Sequence, residues 1–173
     1  MKKSISPRPF VAAMPVVLVA VKNDENINFA THGMYGQLCN EPPLIYISVI
    51  KNHLTAKMIN NANTFSINIP NSQLLEKIKF CGNVTGIEKD KSQTFDVFYG
   101  ENDVPMISEC PVNMNCKVYK IIDTKDMFVF IGQVVEMYSD EECLASDQVI
   151  ATKVDPLLCT IQGKFFKMGI EIE

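Results

Sequence analysis

Strands and helices do not alternate along this chain, and that pattern argues against a doubly wound parallel sheet. Residues 16–21, VVLVAV, form a continuous apolar run, as a strand covered on both faces would. Residues 22–26, KNDEN, read as a turn, and residues 27–31 as a second strand and hairpin partner. Pro42 and Pro43 break the chain before LIYISVI at residues 44–50, whose β-branched and aromatic content favours a third strand. Residues 53–62 then place Leu54, Met58, Ile59 and Ala62 at helical spacing, with Asn52 available as a cap.

The second half is also mostly strand. FSINI at residues 65–69 alternates as a half-buried strand does, and Asn71 or Ser72 caps a helix carrying Leu74, Leu75, Ile78 and Cys81, ended by Gly82. Residues 83–93 are polar and irregular, a surface excursion, and residues 95–99 form a short strand. Val112, Met114, Cys116 and Val118 alternate with Asn113, Asn115, Lys117 and Tyr119; a turn at 123–126 leads into 127–137, making a long antiparallel hairpin. Residues 157–161 and 165–168 form terminal strands around a turn at 162–164. With about seven strands and two or three short helices, the expected fold is mainly β: an antiparallel barrel with a helix across one opening.

A length of 173 residues suits one domain, 1–173, with a sizeable core. No Gly/Ser tract, charge block or internal repeat divides it. The net charge of −4 and the scattered lysines exclude the basic face of a nucleic-acid binder. No stretch is apolar for the eighteen or so residues a membrane helix needs, and the apolar run after MKKSISPRPF is too short for a signal peptide. The expected location is therefore cytoplasmic. Of the six cysteines none forms a C-x-x-C pair, and neither His32 nor His53 stands at zinc-ligand spacing from them, so no metal site is predicted. They read as buried thiols in a reducing compartment, with Cys110 and Cys116 the nearest pair and the one candidate for a redox role.

The chain lacks G-x-G-x-x-G after a strand, a Walker lysine loop, G-x-S-x-G and H-E-x-x-H. What carries chemistry is residues 28–55. Ser48, Lys51, Asn52, His53 and Thr55 fall where a strand ends and a helix begins. Helix-terminal N–H groups attract anions, Lys51 adds charge, and Ser48 and Thr55 add hydroxyl donors, so this is a candidate phosphate site. The plainer alternative is that Asn52 or Thr55 caps the helix and Lys51 is solvated. Ahead of it, Thr31-His32-Gly33-Met34-Tyr35-Gly36-Gln37 reads as a turn whose backbone can meet the polar edge of a flat ring. His32 and Met34 suit packing equally well.

Asn28-x-x-Thr31-x-Gly33-x-x-Gly36-Gln37 followed by Glu41-Pro42-Pro43-Leu44-Ile45-Tyr46-Ile47-Ser48 resembles the flavin reductase-like, FMN-binding split-barrel family, its flavoredoxin branch above all. Thr55, Phe65-Ser66-Ile67-Asn68-Ile69-Pro70, Cys81-Gly82, Gly86, Pro105, Glu109-Cys110-Pro111, Asn115-Cys116, Phe130-Ile131-Gly132-Gln133-Val134-Val135 and Phe165-Phe166-Lys167-Met168-Gly169 continue the match in order. The resemblance implies a Greek-key split β-barrel, a homodimer, and FMN near the subunit interface. By position it puts Thr31, His32, Gly33 and Met34 on the ring side. It puts Ser48, Val49, Ile50, Lys51, His53 and Thr55 on the phosphate and ribityl side, with Cys81 and Gly82 close to the cofactor. No catalytic side chain is implied. Gly33-Met34 replaces a frequent Ser-aromatic pair and Lys51 a frequent arginine, which bears on the ring environment.

The function so implied is an oxidoreductase passing electrons from NADH or NADPH through FMN to a small-molecule or protein acceptor, with Phe165 or Phe166 over the open ring face. Two alternatives stand beside it: a flavoredoxin-type electron carrier without NAD(P)H activity, and a non-catalytic ligand-binding split barrel.

Overall fold

The computed structural model describes residues 1–24 and 26–172; Glu25, in the expected turn, lies outside the described residues. Its strands are β1 (Met14–Pro15), β2 (Val17–Asn23), β3 (Asn26–His32), β4 (Tyr35–Cys39), β5 (Leu44–Ile50), β6 (Thr64–Ile69), β7 (Val97–Tyr99), β8 (Pro105–Ile107), β9 (Val112–Asp123), β10 (Met127–Ser139), β11 (Leu144–Ala145), β12 (Gln148–Val149), β13 (Leu157–Cys159) and β14 (Phe165–Lys167). Three helices join them: α1 (Leu54–Ala62), α2 (Leu75–Asn83) and α3 (Ala151–Val154).

Seven strands in the order β3-β2-β6-β9-β10-β5-β4 make one sheet, antiparallel throughout. Its two edges, β3 and β4, are separated in sequence by only Gly33 and Met34. Three residue steps reach at most ~10–11 Å, so the sheet must curl until its edges approach: a barrel left split along one seam. The Ser48 N–H donates to the Met34 carbonyl at 2.9 Å and carries the β4–β5 pairing up to that seam.

The apolar run that opens the chain is buried on both faces, as its composition predicts. Val17, Val19 and Val21 point into a core with Ile47, Val49, Phe65, Ile67 and Phe130, closed by Ala56, Met58 and Ile59 of α1. Val16, Leu18 and Ala20 point the other way, into a second core with Phe29, Ile78, Cys81 and Ile107. Because either face of β2 is apolar, its hydrophobic pattern alone cannot forbid a one-residue slip. Buried polar bonds do. Asn68 on β6 donates to the Leu18 carbonyl and to Ser66 Oγ, both at 3.0 Å. Its Oδ1 accepts from the Ile107 N–H at 2.9 Å and from Asn113 Nδ2 at 2.8 Å. A slipped register would strand several of these groups in the interior, at ~1–3 kcal/mol each.

Several local expectations need correction. The stretch after Thr31 is not one turn: β3 runs to His32, Gly33 and Met34 bend, and β4 follows. Gly36 lies within β4, against the Tyr46 ring, where a Cβ would come within 3.0 Å of a ring carbon. Asn52 does not cap α1; His53 holds that position and its side chain makes no cap bond. Asn71 caps a short 3-10 turn, accepting from the Gln73 N–H at 3.1 Å, and α2 follows that turn and runs past Gly82 to Asn83. The terminal strands stop at Cys159 and Lys167, and the short pairs β1, β8, β11 and β12 carried no readable pattern. Cys110 and Cys116 belong to different cores, on opposite sides of the main sheet, so they do not form a redox pair. Burial raises both thiols, Cys116 to about 12. Among the described residues no helix is long and apolar enough to cross a membrane, and no His/Cys/Asp/Glu group could hold a metal ion.

Candidate functional site

The seam of the barrel, the start of α1 and the end of α2 converge on one cleft of about 390 Å³. Three contacts hold its walls. Thr31 Oγ1 at the end of β3 donates to the Ile78 carbonyl of α2 at 2.7 Å. Asn28 Nδ2, three residues earlier on the strand, donates to Thr55 Oγ1 in the first turn of α1 at 2.9 Å. The loop after α2 is pinned at Gly86, where a Cβ would lie 2.3 Å from Asn28 Oδ1 and 3.0 Å from a Leu54 methyl; only glycine lets the backbone pass so close.

Thr31, His32, Gly33, Met34, Ser48, Ile50, His53, Thr55, Cys81 and Gly82 all line this cleft, so residues far apart in sequence are brought together. Val49 and Lys51 are not among its lining. Val49 alternates with Ser48 and Ile50 and therefore points into the barrel core. Lys51 pairs with Asp123 and lies over the Phe128 ring, 5.1 Å from its centroid. The cation of the cleft is instead Lys91. It falls in the stretch expected to be a surface excursion, yet it is only 4% exposed. Nothing in GIEKDKSQ distinguishes Lys91 from Lys89; burial by the folded loop does.

Lys91 Nζ donates to the Cys81 carbonyl at 3.3 Å and the Val84 carbonyl at 3.1 Å, capping the end of α2. An ammonium has three donors, so one remains. Among the described residues no carboxylate lies within ion-pair distance of it. Burial holds its pKa below the usual lysine range. In the same cleft the N-terminus of α1 has no side-chain cap; the Ala56 and Lys57 N–H groups donate to the His53 carbonyl, which leaves those of Leu54 and Thr55 open to an acceptor. A buried, unneutralised cation and an uncapped helix start in one cleft form an anion site.

Two further groups of the cleft are uncharged at neutral pH. His32 is buried, which lowers its pKa to about 4, with the charges of His53 and Lys91 adding to the effect. Its Nε2 has no hydrogen-bond partner. The Cys81 thiol is also raised by burial and stays protonated at neutral pH. Met34 and Ile50 stand half-exposed at the rim. Phe165 is half-buried and packs against the second core, while Phe166 is 51% exposed. A buried cation, an open helix start and an apolar rim suit a phosphorylated flat ring. The donors fit FMN: Lys91, the start of α1 and Thr55 for a phosphate, and the Thr31–Met34 backbone for the ring edge.

A curled antiparallel barrel with such a cleft at its seam defines a class, and comparison with known proteins gives it a family. The pattern of the Flavin reductase like domain matches residues 11–166, and the chain belongs to that family. Its structure is similar to that of a flavoredoxin from Methanosarcina acetivorans, with 32% identity, TM-score 0.96, and 100% of this chain and 94% of that one covered. It is also similar to the flavoredoxin of Desulfovibrio vulgaris (Miyazaki F), with 27% identity, TM-score 0.90, and 100% and 96% covered. An FMN-binding protein from Thermus thermophilus shares the fold, with 20% identity, TM-score 0.88, and 100% and 99% covered. The expected split-barrel fold and family are thus established.

Proposed function

We propose that the protein binds FMN in this cleft and transfers electrons through it as a flavoredoxin-type flavoprotein. The observation that carries the proposal is Lys91, a buried cation with an unspent donor beside an uncapped helix start. When bound, the flavin supplies the redox chemistry; the protein supplies orientation and electrostatics. Lys91, the first N–H groups of α1 and the Thr55 hydroxyl hold the phosphate. The backbone at Gly33 and Met34 meets the ring edge at the seam, and the neutral His32 adds no charge there.

A second reading adds NADH or NADPH as donor, making the protein a flavin reductase. The family description favours it, while the flavoredoxins at 32% and 27% identity favour the carrier. Exposed Met34 and Ile50 at the rim, 45% and 44% exposed, suit the expected homodimer, in which a second subunit covers them.

The test is to titrate the purified protein with FMN, record its visible spectrum, size the yellow species by sedimentation, and assay NADH and NADPH oxidation. Bound flavin with no oxidation supports the carrier, and turnover supports the reductase. A protein that binds no FMN overturns both and favours a ligand-binding module; a flavin-bound monomer removes the dimer.

A further inference from the structure

The anion end of the cleft is not closed. Leu54, Gly86, Glu88 and Lys91 line both the cleft and an adjoining groove of about 530 Å³. The loop after α2 is therefore a ridge between two grooves, locked down at Gly86 by its approach to Asn28 and Leu54. Beyond the ridge the groove is acidic. Asp24, Glu88 and Asp90 line it, and all three are exposed. Two lysines line it as well. Lys89 Nζ lies over the Phe80 ring, 5.0 Å from its centroid, and Lys91 Nζ is tied to the Cys81 and Val84 carbonyls.

Resting on the FMN reading, we propose that Glu88 is a specificity-determining residue that makes the cleft select a flavin mononucleotide over flavin adenine dinucleotide. A mononucleotide ends at the phosphate held by Lys91. A dinucleotide carries a second phosphate and a nucleoside that must go on past that point, and the contiguous groove leads over Glu88. The backbone that carries Glu88 is held by its own turn: the Glu88 and Lys89 N–H groups both donate to the Thr85 carbonyl at 3.1 Å. The second phosphate meets like charge from Glu88, with Asp24 and Asp90 behind it; against these the described lining sets only Lys89, drawn over the Phe80 ring, and Lys91, which the first phosphate already engages. The geometry thus gives one cation's worth of attraction to the first phosphate and repulsion to the second.

The experiment is a pair of fluorescence-quenching titrations of the full chain with FMN and FAD, for the natural protein, Glu88→Gln and Glu88→Lys. Melting curves confirm that each variant folds. The natural protein should bind FMN at least tenfold more tightly than FAD. Glu88→Gln should narrow that ratio at least threefold, and Glu88→Lys should narrow it further. Equal affinities in the natural protein, or a ratio that neither variant moves, would overturn the assignment while leaving the FMN site intact. Failure of the natural protein to bind either flavin would instead remove the FMN reading and this inference with it.

Discussion

Replacing Lys91 by methionine tests the site most directly. Methionine keeps the length and apolar stem of the side chain and removes only the ammonium. That ammonium has one donor left after the Cys81 and Val84 carbonyls, and a hydrogen bond from a charged group contributes ~1.5–3 kcal/mol. The Coulomb attraction between unit charges 4 Å apart is ~4 kcal/mol at an effective dielectric constant of 20, which sets an upper bound. Much of it is offset because the phosphate loses water on entry. The expected loss of FMN affinity is thus ~10–150-fold. Riboflavin, which has the ring but no phosphate, should lose almost nothing. Removing the ammonium also leaves two carbonyls without their donor, so some loss of folding stability is expected. The ratio of FMN to riboflavin affinity is insensitive to that loss, because both ligands meet the same folded protein. Isothermal titration calorimetry of both ligands gives the ratio. Lys51→Met is the control: paired with Asp123 outside the cleft lining, it should leave the ratio unchanged. If Lys91→Met leaves the ratio within twofold of the natural protein, the phosphate binds elsewhere and the reasoning fails.

Two further predictions concern the scaffold. His32 has its pKa lowered to about 4 from 6.5. The unfolded chain therefore takes up the proton first as pH falls, so stability is retained above 6.5, declines between 6.5 and 4, and levels off below. At pH 4.5 this group should account for a loss of ~2–3 kcal/mol. Urea unfolding at pH 7 and 4.5 should show that loss shrinking in His32→Gln, and an identical pH dependence would show that His32 is not buried neutral. Asn68→Leu leaves the Leu18 carbonyl, the Ile107 N–H and an Asn113 N–H without their partner. It should cost on the order of 3–5 kcal/mol, and a loss under ~1 kcal/mol in denaturant unfolding would mean the β2 register is held by packing instead.

Much of the site was legible because its residues belong to local patterns. Thr31 to Met34 stand at a strand end and its bend, and Ser48 to Thr55 span a strand-to-helix junction, so their types and spacing point to a ring edge and an anion. The same pattern points to Lys51, whereas the lysine that lines the cleft is Lys91. Lys51 and Lys91 are equally polar in sequence. Only the return of the loop after α2, pinned where Gly86 meets Asn28 and Leu54, buries one of them beside the helix start while the other finds Asp123. The β4 strand was missed because Tyr35, Gly36 and Gln37 carry turn-forming character; its pairing with β5, and Tyr46 packed over Gly36, override that tendency.

The sequence by itself determined that this chain forms an antiparallel β structure. Val16 to Val21 had to be covered on both faces, and the alternation in residues 65–69 and 112–119 leaves no room for a helical assignment. Hydrophobic periodicity is local and survives translation along the chain, which is why it can be read without coordinates. Closure of the barrel, the register of β2 and the choice of cation depend on groups that meet across long separations: β3 with β4 at the seam, Asn68 with Leu18 and Ile107, Lys91 with the end of α2. Such meetings are decided by the geometry of the folded chain, because the alternatives differ only in which buried polar group finds a partner.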